Sequence, residues 1–390
     1  MVYNDHVRRQ AMLQRNVHAA LGTFFLVAVR RMDLYGQTGF FSQLQLGAVI
    51  FFFQWGLIVE ANFAHANYAF HFGAANDNLE EIKALRPGDA PAVKIFMGAS
   101  TGNMLVDNPE TLEGIFAHSQ LILLTHCEDT PTIKANEERY RAQYGEDVPL
   151  SAHPLIRSAE ACYKSTELAV GLARKHNARL HVLHLTTARE LEFFSAGPVK
   201  DKRITVEACV HHLYMDESWY AERGMLVKCN PAIKTAADRV ALVKAVHDNV
   251  IDVVATDHAP HTLEEKTQKY FKAPSGLPLV QHVLLMLIDL VKRGELSMST
   301  VVNKTSHAVA ERFGVRERGY IREGYWADLV LVDPHGSTTV QRDNVLYKCG
   351  WSPLEGRTLP ARINATWVNG ELAYRDGKVS AQRYGQRLQF

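Results

Sequence analysis

The chain has 390 residues, of which 47% are hydrophobic and 22% are charged, the balance found in ordinary soluble globular proteins. Its formal net charge of +1 gives no reason to expect a nucleic-acid partner or an acidic membrane surface. The five cysteines are scattered and form no Cys-x-x-Cys pair, so we expect neither a disulfide framework nor a cysteine zinc knuckle. This cysteine usage is typical of a reducing, cytoplasmic location.

Two apolar runs lie near the N-terminus, Ala19 to Val29 and Gly47 to Val59. Both are shorter than the ~18 residues that a membrane span needs. No small-residue cleavage site of the kind that ends an export signal follows the first run cleanly. We interpret them as buried segments or as a misread stretch of the gene, and we expect no membrane partner.

From residue 66 onward, short apolar runs alternate with longer stretches that have helical periodicity. The runs are Asn67–Gly73, Ala92–Met97, Leu121–Thr125, Leu180–Leu185, Ile204–Val210 and Val250–Thr256. Stretches such as Ser158–His176 and Thr235–Asn249 carry apolar residues at i, i+3, i+4 and i+7. This alternation predicts an α/β fold with a parallel sheet, whose strands are apolar throughout because both faces are buried.

The six runs are too few for a closed (β/α)8 barrel of the TIM type, which needs eight strands. The other two must lie within residues 1–65, where Met1–Val7 can hold the end of the first and the second is not recognisable. After about residue 316 the pattern changes to short strands separated by glycine and Asn-Gly or Asp-Gly turns, at Gly319–Ile321, Ala327–Val332, Ala365–Val368 and Glu371–Tyr374. We therefore predict a divergent segment over residues 1–62, a barrel over 63–315 and a small C-terminal β appendage over 316–390.

Polar residues stand at the ends of several predicted strands, the rim where barrel active sites are built. His126 follows Leu-Ile-Leu-Leu-Thr, His184 ends His-Val-Leu-His, and Asp257 follows Val-Val-Ala-Thr. Lys94 lies inside an otherwise apolar strand, where an unpaired ammonium is costly to bury. One histidine after a strand is more often structural, but four such residues on four strands favour a metal site. Imidazole and carboxylate ligands suit zinc, which activates water and polarises carbonyl groups.

The motifs that surround these residues resemble the dihydroorotase and hydantoinase branch of the amidohydrolases. They are VKIFMGASTGNMLVDNP, LLTHCED, HVLHLTT, VKCNPAIKT, ATDHAPHT, KAPSGLPLVQ and, near the C-terminus, KCGWSPLEGRTLPARINATWVNGEL. The spacing agrees as well, with 32 residues from Lys94 to His126, 58 more to His184 and 73 more to Asp257. GASTGNML and KCGWSP favour dihydroorotase-like members, and the likeness covers roughly residues 63–390.

The resemblance implies a role for each matching residue. Lys94 would be carboxylated and bridge two zinc ions, His126 and His184 would bind the second ion, and Asp257 would be the metal-bound general acid and base. Substrate contacts would come from Asn230, His261 and the loop Pro274, Ser275 and Gly276. The activity implied is the reversible conversion of N-carbamoyl-L-aspartate to dihydroorotate, a small-molecule step of pyrimidine biosynthesis.

The N-terminal region departs from the family pattern. Dihydroorotases have a first strand that ends in His-x-His-Phe-Arg, with both histidines on metal and the arginine on substrate. In this chain His6 would be the first metal-binding histidine, but Arg8 stands at the position of the second. The later Met-Pro-Asn motif, another substrate contact, is missing from the first 65 residues. Either the reading frame of the gene is altered here or the protein has lost one metal site. In both cases we expect residues 8–62 to pack poorly as barrel strands and the chain as written to have little dihydroorotase activity.

Two other functions remain open at this point. One is a hydantoinase, dihydropyrimidinase or allantoinase, since the discriminating arginine and asparagine are absent. The other is a non-catalytic dihydroorotase homologue that acts as a structural partner, for example of aspartate carbamoyltransferase. The chain could also assemble as a homo-oligomer.

Overall fold

The computed structural model describes residues 64–98 and 104–390, together with the backbone of Leu26–Ala28. The predicted metal ligand His6 and the family departure at Arg8 lie outside these residues. So does nearly all of the segment 1–62.

A parallel sheet forms the centre of the fold, and within the described residues it has seven strands in the order β1-β2-β3-β4-β5-β6-β7. Their bounds are Leu26–Ala28, Ala69–Gly73, Ala92–Phe96, Ile122–His126, Leu180–Val182, Ile204–Cys209 and Val253–Ala255. Strands β2 to β7 lie in the six predicted runs, except that β4 ends one residue later, at His126, so the α/β class and the parallel sheet are confirmed. The described strands form a curled sheet, and closure into the expected eight-stranded barrel is not among the pairings that they make.

Strand β1 was not recognised in the sequence. Leu26–Ala28 lies inside the first apolar N-terminal run and pairs in parallel with Ala69–His71 of β2. The end of the first strand was placed at Met1–Val7 instead. A three-residue strand inside an eleven-residue apolar run has too little periodicity to be told from a buried helix segment.

Helices cover the connections between the strands. Their bounds, named α1 to α12 in chain order, are Leu79–Ala84, Pro109–His118, Thr130–Tyr144, His153–Ile156, Ala159–Lys175, Val210–Tyr214, Ser218–Arg223, Ala236–His247, Leu263–Lys266, Val283–Lys292, Met298–Val302 and Ala308–Phe313. Single 3₁₀ turns occur at Leu150–Ala152, Arg189–Phe193, Val199–Asp201, Gly224–Val227 and Arg342–Asn344, and a π-helical turn at Asn303–His307. Helices α5 and α8 confirm the two helical stretches that the periodicity predicted.

The caps of these two helices explain where they begin. The Ser158 side chain accepts a hydrogen bond from the backbone of Ala161 at the start of α5. At the start of α8, Thr235 and Asp238 form a reciprocal capping box. Such caps satisfy backbone N–H groups that the first turn of a helix leaves without partners. Along the described part of the chain, no helix is both long and apolar enough to cross a membrane.

The C-terminal region is an antiparallel β structure. A four-stranded sheet has the order β13-β12-β11-β8, with β8 at Leu329–Asp333, β11 at Arg362–Val368, β12 at Glu371–Arg375 and β13 at Lys378–Val379. Strands β9 (Thr338–Thr339) and β10 (Thr358–Leu359) pair separately. The prediction of a strand at Gly319–Ile321 is wrong, because Gly319 has a φ of +83° and the chain bends there.

The last residues of the chain return to the beginning of β2. The backbone N–H of Tyr68 donates to the carbonyl of Gln386, and the N–H of Leu388 donates to the carbonyl of Tyr68. Asn67 also donates from its side chain to Asp328 at 2.9 Å. The β appendage is therefore hydrogen-bonded to the start of the central sheet, and its exact boundary at residue 316 stays a prediction.

Candidate metal centre and active site

Lys94 lies in the middle of β3 and is buried, with 5% of its surface exposed. Burial lowers the pKa of Lys94 to about 8, although the negative charges of Asp257 and Glu207 act in the opposite direction. At pH 7 about 10% of such an amine is neutral, against about 0.03% for an ordinary lysine. The strand thus holds a lysine whose nitrogen is unusually available for reaction with an electrophile.

His126 and His184 face each other directly. The Nδ1 atom of His126 lies 2.9 Å from the Nε2 atom of His184, and the two rings meet edge to face. Both side chains are buried, and burial lowers the pKa of His184 well below its usual value. The neighbouring charges of His126 and Lys94 lower it further. The two ring nitrogens are close enough to share a proton or, once that proton is displaced, a metal cation.

Glu128 determines which nitrogen of His126 is free. Its Oε2 atom lies 2.9 Å from His126 Nε2 and accepts a second hydrogen bond from Arg157 Nη1 at 2.6 Å. A carboxylate can only accept, so Nε2 of His126 donates to Glu128, which leaves Nδ1 as the nitrogen that faces His184. Burial by itself would raise the pKa of Glu128, but Arg157 and His126 lower it below the usual range. Glu128 is therefore a buried anion.

The sequence motifs contained Glu128, in LLTHCED, but we did not assign it a role. Carboxylates behind metal-binding histidines are a common arrangement that orients the ring and raises its basicity. A carboxylate two residues after a strand-end histidine is the signal that was available.

The backbone is strained at two of the predicted ligands. His184 has a φ of +40° and Asp257 a φ of +44°, values that residues with a Cβ seldom adopt. Each costs of order 1 kcal/mol and persists where the surrounding structure requires that orientation. Each residue lies two positions after the end of a parallel strand, β5 for His184 and β7 for Asp257, and the electrostatic interaction of Lys94 with both indicates that the side chains share one region. Asp257 is exposed there and so is reachable from solvent.

The predicted substrate contacts form a second group beside the first. In the amide orientation that satisfies its neighbours, Asn230 donates to Ser275 Oγ at 3.1 Å and to the Cys229 carbonyl at 3.0 Å, and it accepts from Arg157 Nη2 at 3.2 Å. That orientation is assigned from the hydrogen bonds. Arg157 thus joins Glu128, behind His126, to Asn230 and the loop at Ser275. The two groups are parts of one hydrogen-bonded region.

The loop of Pro274, Ser275 and Gly276 is held by a buried lysine that the sequence did not indicate. Lys266 Nζ donates to the carbonyls of Lys228, Pro274 and Gly276 at 2.8, 3.0 and 3.1 Å. Burial lowers the pKa of Lys266 to about 7. The loop is therefore tied to the protein through its backbone, by these carbonyls and by the N–H of Gly276, which donates to the Lys228 carbonyl at 2.9 Å.

Gly276 brings this loop close to His261. Its φ is +148°, and an added Cβ would lie 2.4 Å from the Ala259 carbonyl oxygen and 3.1 Å from His261 Nε2. Trp351, in the C-terminal motif KCGWSP, donates from its indole to the His261 carbonyl at 2.8 Å. This explains how a motif far along the chain contributes to the site. Of all the predicted site residues, only His6 lies outside the described part of the chain.

The chemical types of these donors suit a zinc ion. His126 and His184 would supply imidazole ligands, Asp257 would supply a carboxylate, and Lys94 would become an oxygen ligand if it were carboxylated. Two imidazole nitrogens on one tetrahedral zinc are about 3.4 Å apart, so the 2.9 Å between His126 and His184 would widen by about 0.5 Å. An adjustment of this size would leave the His126 and His184 side chains in the same region.

A model of the amidohydrolase family matches residues 70–373 of the chain. The chain belongs to the amidohydrolase family. It is 32% identical over 292 residues to a dihydroorotase of Halobacterium salinarum, a match that covers 74% of this chain and 66% of that protein. It is also 30% identical over 330 residues to an allantoinase of Streptomyces avermitilis, which covers 83% of this chain and 72% of that protein.

Among solved structures, a D-hydantoinase (dihydropyrimidinase) from Thermus sp. is similar with a TM-score of 0.81. The likeness covers 97% of this chain and 83% of that one at 23% identity, and it therefore concerns the fold. These amidohydrolase relatives differ in the cyclic amide for which they are named. Family membership is thus confirmed, whereas the substrate has to be argued from the site.

Proposed function

We propose that the chain is a cyclic amidohydrolase of the dihydroorotase type, with its zinc held by Lys94, His126, His184 and Asp257. The observation that carries the proposal is the pairing of His126 Nδ1 with His184 Nε2 while Glu128 occupies the other nitrogen of His126. Glu128 holds the His126 ring with Nδ1 toward His184, which is the orientation that a cation shared by the two rings would need. Zinc, when bound, supplies Lewis acidity that activates water and polarises the substrate carbonyl.

Lys94 contributes by becoming an anion. Its neutral Nζ attacks the carbon of CO2, the new N–C bond forms, and one N–H proton leaves to solvent. The product is an N-carboxylate with two oxygen ligands. The lowered pKa of Lys94 favours this step because only the neutral amine carries the lone pair.

Asp257 would carry the proton that the reaction has to move. In hydrolysis, the oxygen of water bonds to the ring carbonyl carbon, and Asp257 accepts the proton released. The ring C–N bond then breaks and Asp257 returns the proton to the departing nitrogen. Its exposure and its position beside Lys94 suit a group that must reach both water and substrate.

Asn230, His261 and the 274–276 loop would orient the substrate ring and its carboxylate. Dihydroorotate presents ring N–H and C=O groups for the amide of Asn230 and the loop backbone, and a carboxylate for His261. The anionic substrate is favoured over neutral hydantoin by that histidine. Arg8 replaces a second zinc-binding histidine in the family pattern, so we expect turnover to be slow.

The test is ring opening of dihydroorotate, hydantoin and allantoin by the purified full chain with added zinc and bicarbonate. We expect slow turnover with dihydroorotate preferred, and none in Asp257→Asn. The matched control Asp248→Asn alters an exposed aspartate that pairs with Lys244 and should keep the full rate. Turnover that survives Asp257→Asn would refute the mechanism.

The allantoinase relative makes a second candidate specific. Preference for allantoin or hydantoin in the same assay would replace the dihydroorotase proposal with that activity. Absence of both turnover and bound zinc would favour the non-catalytic homologue. In that case, co-purification with aspartate carbamoyltransferase is the measurement to make.

A further inference from the structure

A cluster of one thiol and two imidazoles lies at the junction of β6 and α6. Strand β6 ends at Cys209, helix α6 begins at Val210, and His211 and His212 follow in its first turn. The three side chains each offer a ligand atom, and these atoms lie within 4.8 Å of one another. All three are buried, and the two imidazole ring centroids are 4.0 Å apart.

The two histidines have nitrogens without hydrogen-bond partners. His211 is 1% exposed, yet neither its Nδ1 nor its Nε2 has a partner among the described residues. His212 lies 3.1 Å from the Pro231 carbonyl through Nε2, while its Nδ1 is unpartnered. Buried polar atoms are nearly always paired in native proteins, so three in one place need an explanation.

The Pro231 carbonyl defines the state of His212. A carbonyl accepts, so Nε2 carries the proton and Nδ1 holds a lone pair. This is the arrangement by which backbone carbonyls orient histidines that bind metals. His211 can present either nitrogen, because nothing in the described structure occupies either one.

The donor set selects the kind of ion. One thiolate and two imidazoles match the sulfur and nitrogen ligands of tetrahedral zinc, with the fourth position left open. Ligand atoms on one zinc are about 3.3–3.8 Å apart, so atoms that lie within 4.8 Å of one another would have to approach by about 1.5 Å at most. Binding would release the Cys209 proton to solvent, since the ligand is the thiolate.

We propose that Cys209, His211 and His212 bind a divalent zinc-type ion at a second site, distinct in its donors from the one at Lys94. The Lys94 site has nitrogen and oxygen ligands and no sulfur. The proposal therefore does not depend on the proposed function, and the two sites have different spectroscopic signatures. An ion here would also brace the connection between β6 and α6, directly after the strand that carries Glu207.

Cobalt substitution tests the site without an activity assay. The metal-free full chain is titrated with Co²⁺ and the near-ultraviolet absorbance is followed, where a thiolate bound to cobalt gives a charge-transfer band and nitrogen or oxygen ligands do not. We expect the band in the wild type and its loss in Cys209→Ser. The matched control is Cys162→Ser, another buried cysteine, which should keep the band.

Two further variants keep the proposal refutable if Cys209→Ser does not fold. His211→Gln and His212→Gln retain the thiol and should each weaken cobalt binding at the band at least 10-fold. His126→Gln, which alters the other site, should leave the band and its affinity unchanged. A wild type without the band, or a band that persists with unchanged affinity in both His211→Gln and His212→Gln, would overturn the proposal.

Discussion

Glu128→Gln is the substitution whose effect follows most directly from the structure. Gln keeps the shape of the side chain but removes a charge that is fully buried and shared by His126 and Arg157. Carboxylates behind metal-binding histidines typically contribute 10- to 100-fold in metal affinity. We therefore expect zinc affinity to fall by about that factor, which is roughly 1.4–2.7 kcal/mol.

The same substitution leaves Arg157 buried without its anion. Breaking a buried ion pair on one side costs about 3–5 kcal/mol, and the remaining amide oxygen of Gln should keep the loss toward the lower end. The metal-free protein should accordingly unfold at a lower urea concentration. The double variant Glu128→Gln with Arg157→Met should recover part of this stability, because the unpaired cation is gone, but it should not recover zinc affinity.

Zinc affinity is measured by competition with a chelator, and stability by urea unfolding of the metal-free chain. Glu113→Gln is the control, since Glu113 is a half-buried glutamate at the protein surface that also pairs with a cation, Lys175, and should change neither quantity. If Glu128→Gln lowered stability but kept the zinc affinity of the wild type, Glu128 would be structural only. The argument that it orients His126 would then fail.

Three further outcomes are expected. Gly98→Ala should lower the free energy of unfolding in urea by about 3 kcal/mol or more, because its Cβ would lie 1.5 Å from the Glu128 carbonyl oxygen. Gly171→Ala, exposed in α5 with nothing within 4 Å of its Cβ, should raise it by about 0.5–1 kcal/mol. Equal unfolding midpoints for the two variants would contradict this. Lys266→Met should speed amide exchange in the 274–276 loop about 10-fold or more by removing its donor, and unchanged exchange would mean that other contacts hold the loop. Burial lowers the pKa of Lys304 to about 8 from 10.5, so the unfolded chain binds more protons than the folded chain between these values, and the free energy of unfolding rises with pH there. Lys304→Met should show a correspondingly smaller rise in urea unfolding, and an equal rise would assign the effect to other groups.

Much of the fold was predictable because it depends on local periodicity. Continuous apolar runs mark strands buried on both faces, and the runs around Ala92 and Ile122 became β3 and β4 as expected. The same regularity made a glycine-rich tripeptide at Gly319 look like a strand, although its φ of +83° turns the chain instead. Backbone angles of single residues leave no periodic trace in a sequence.

The sequence by itself determined the α/β class, the strand ends that carry His126, His184 and Asp257, and the buried Lys94, because each depends on residue type and position along one strand. Only the tertiary structure decided which residues contact and orient these side chains. Arg157 reaches Glu128 from 29 residues away, Lys266 donates to three carbonyls in two separate segments, and the ring nitrogens of His211 have no partner among the described residues. These are properties of side chains that meet across the fold, and residue order does not record such meetings because burial and hydrogen bonding are set by neighbours in space.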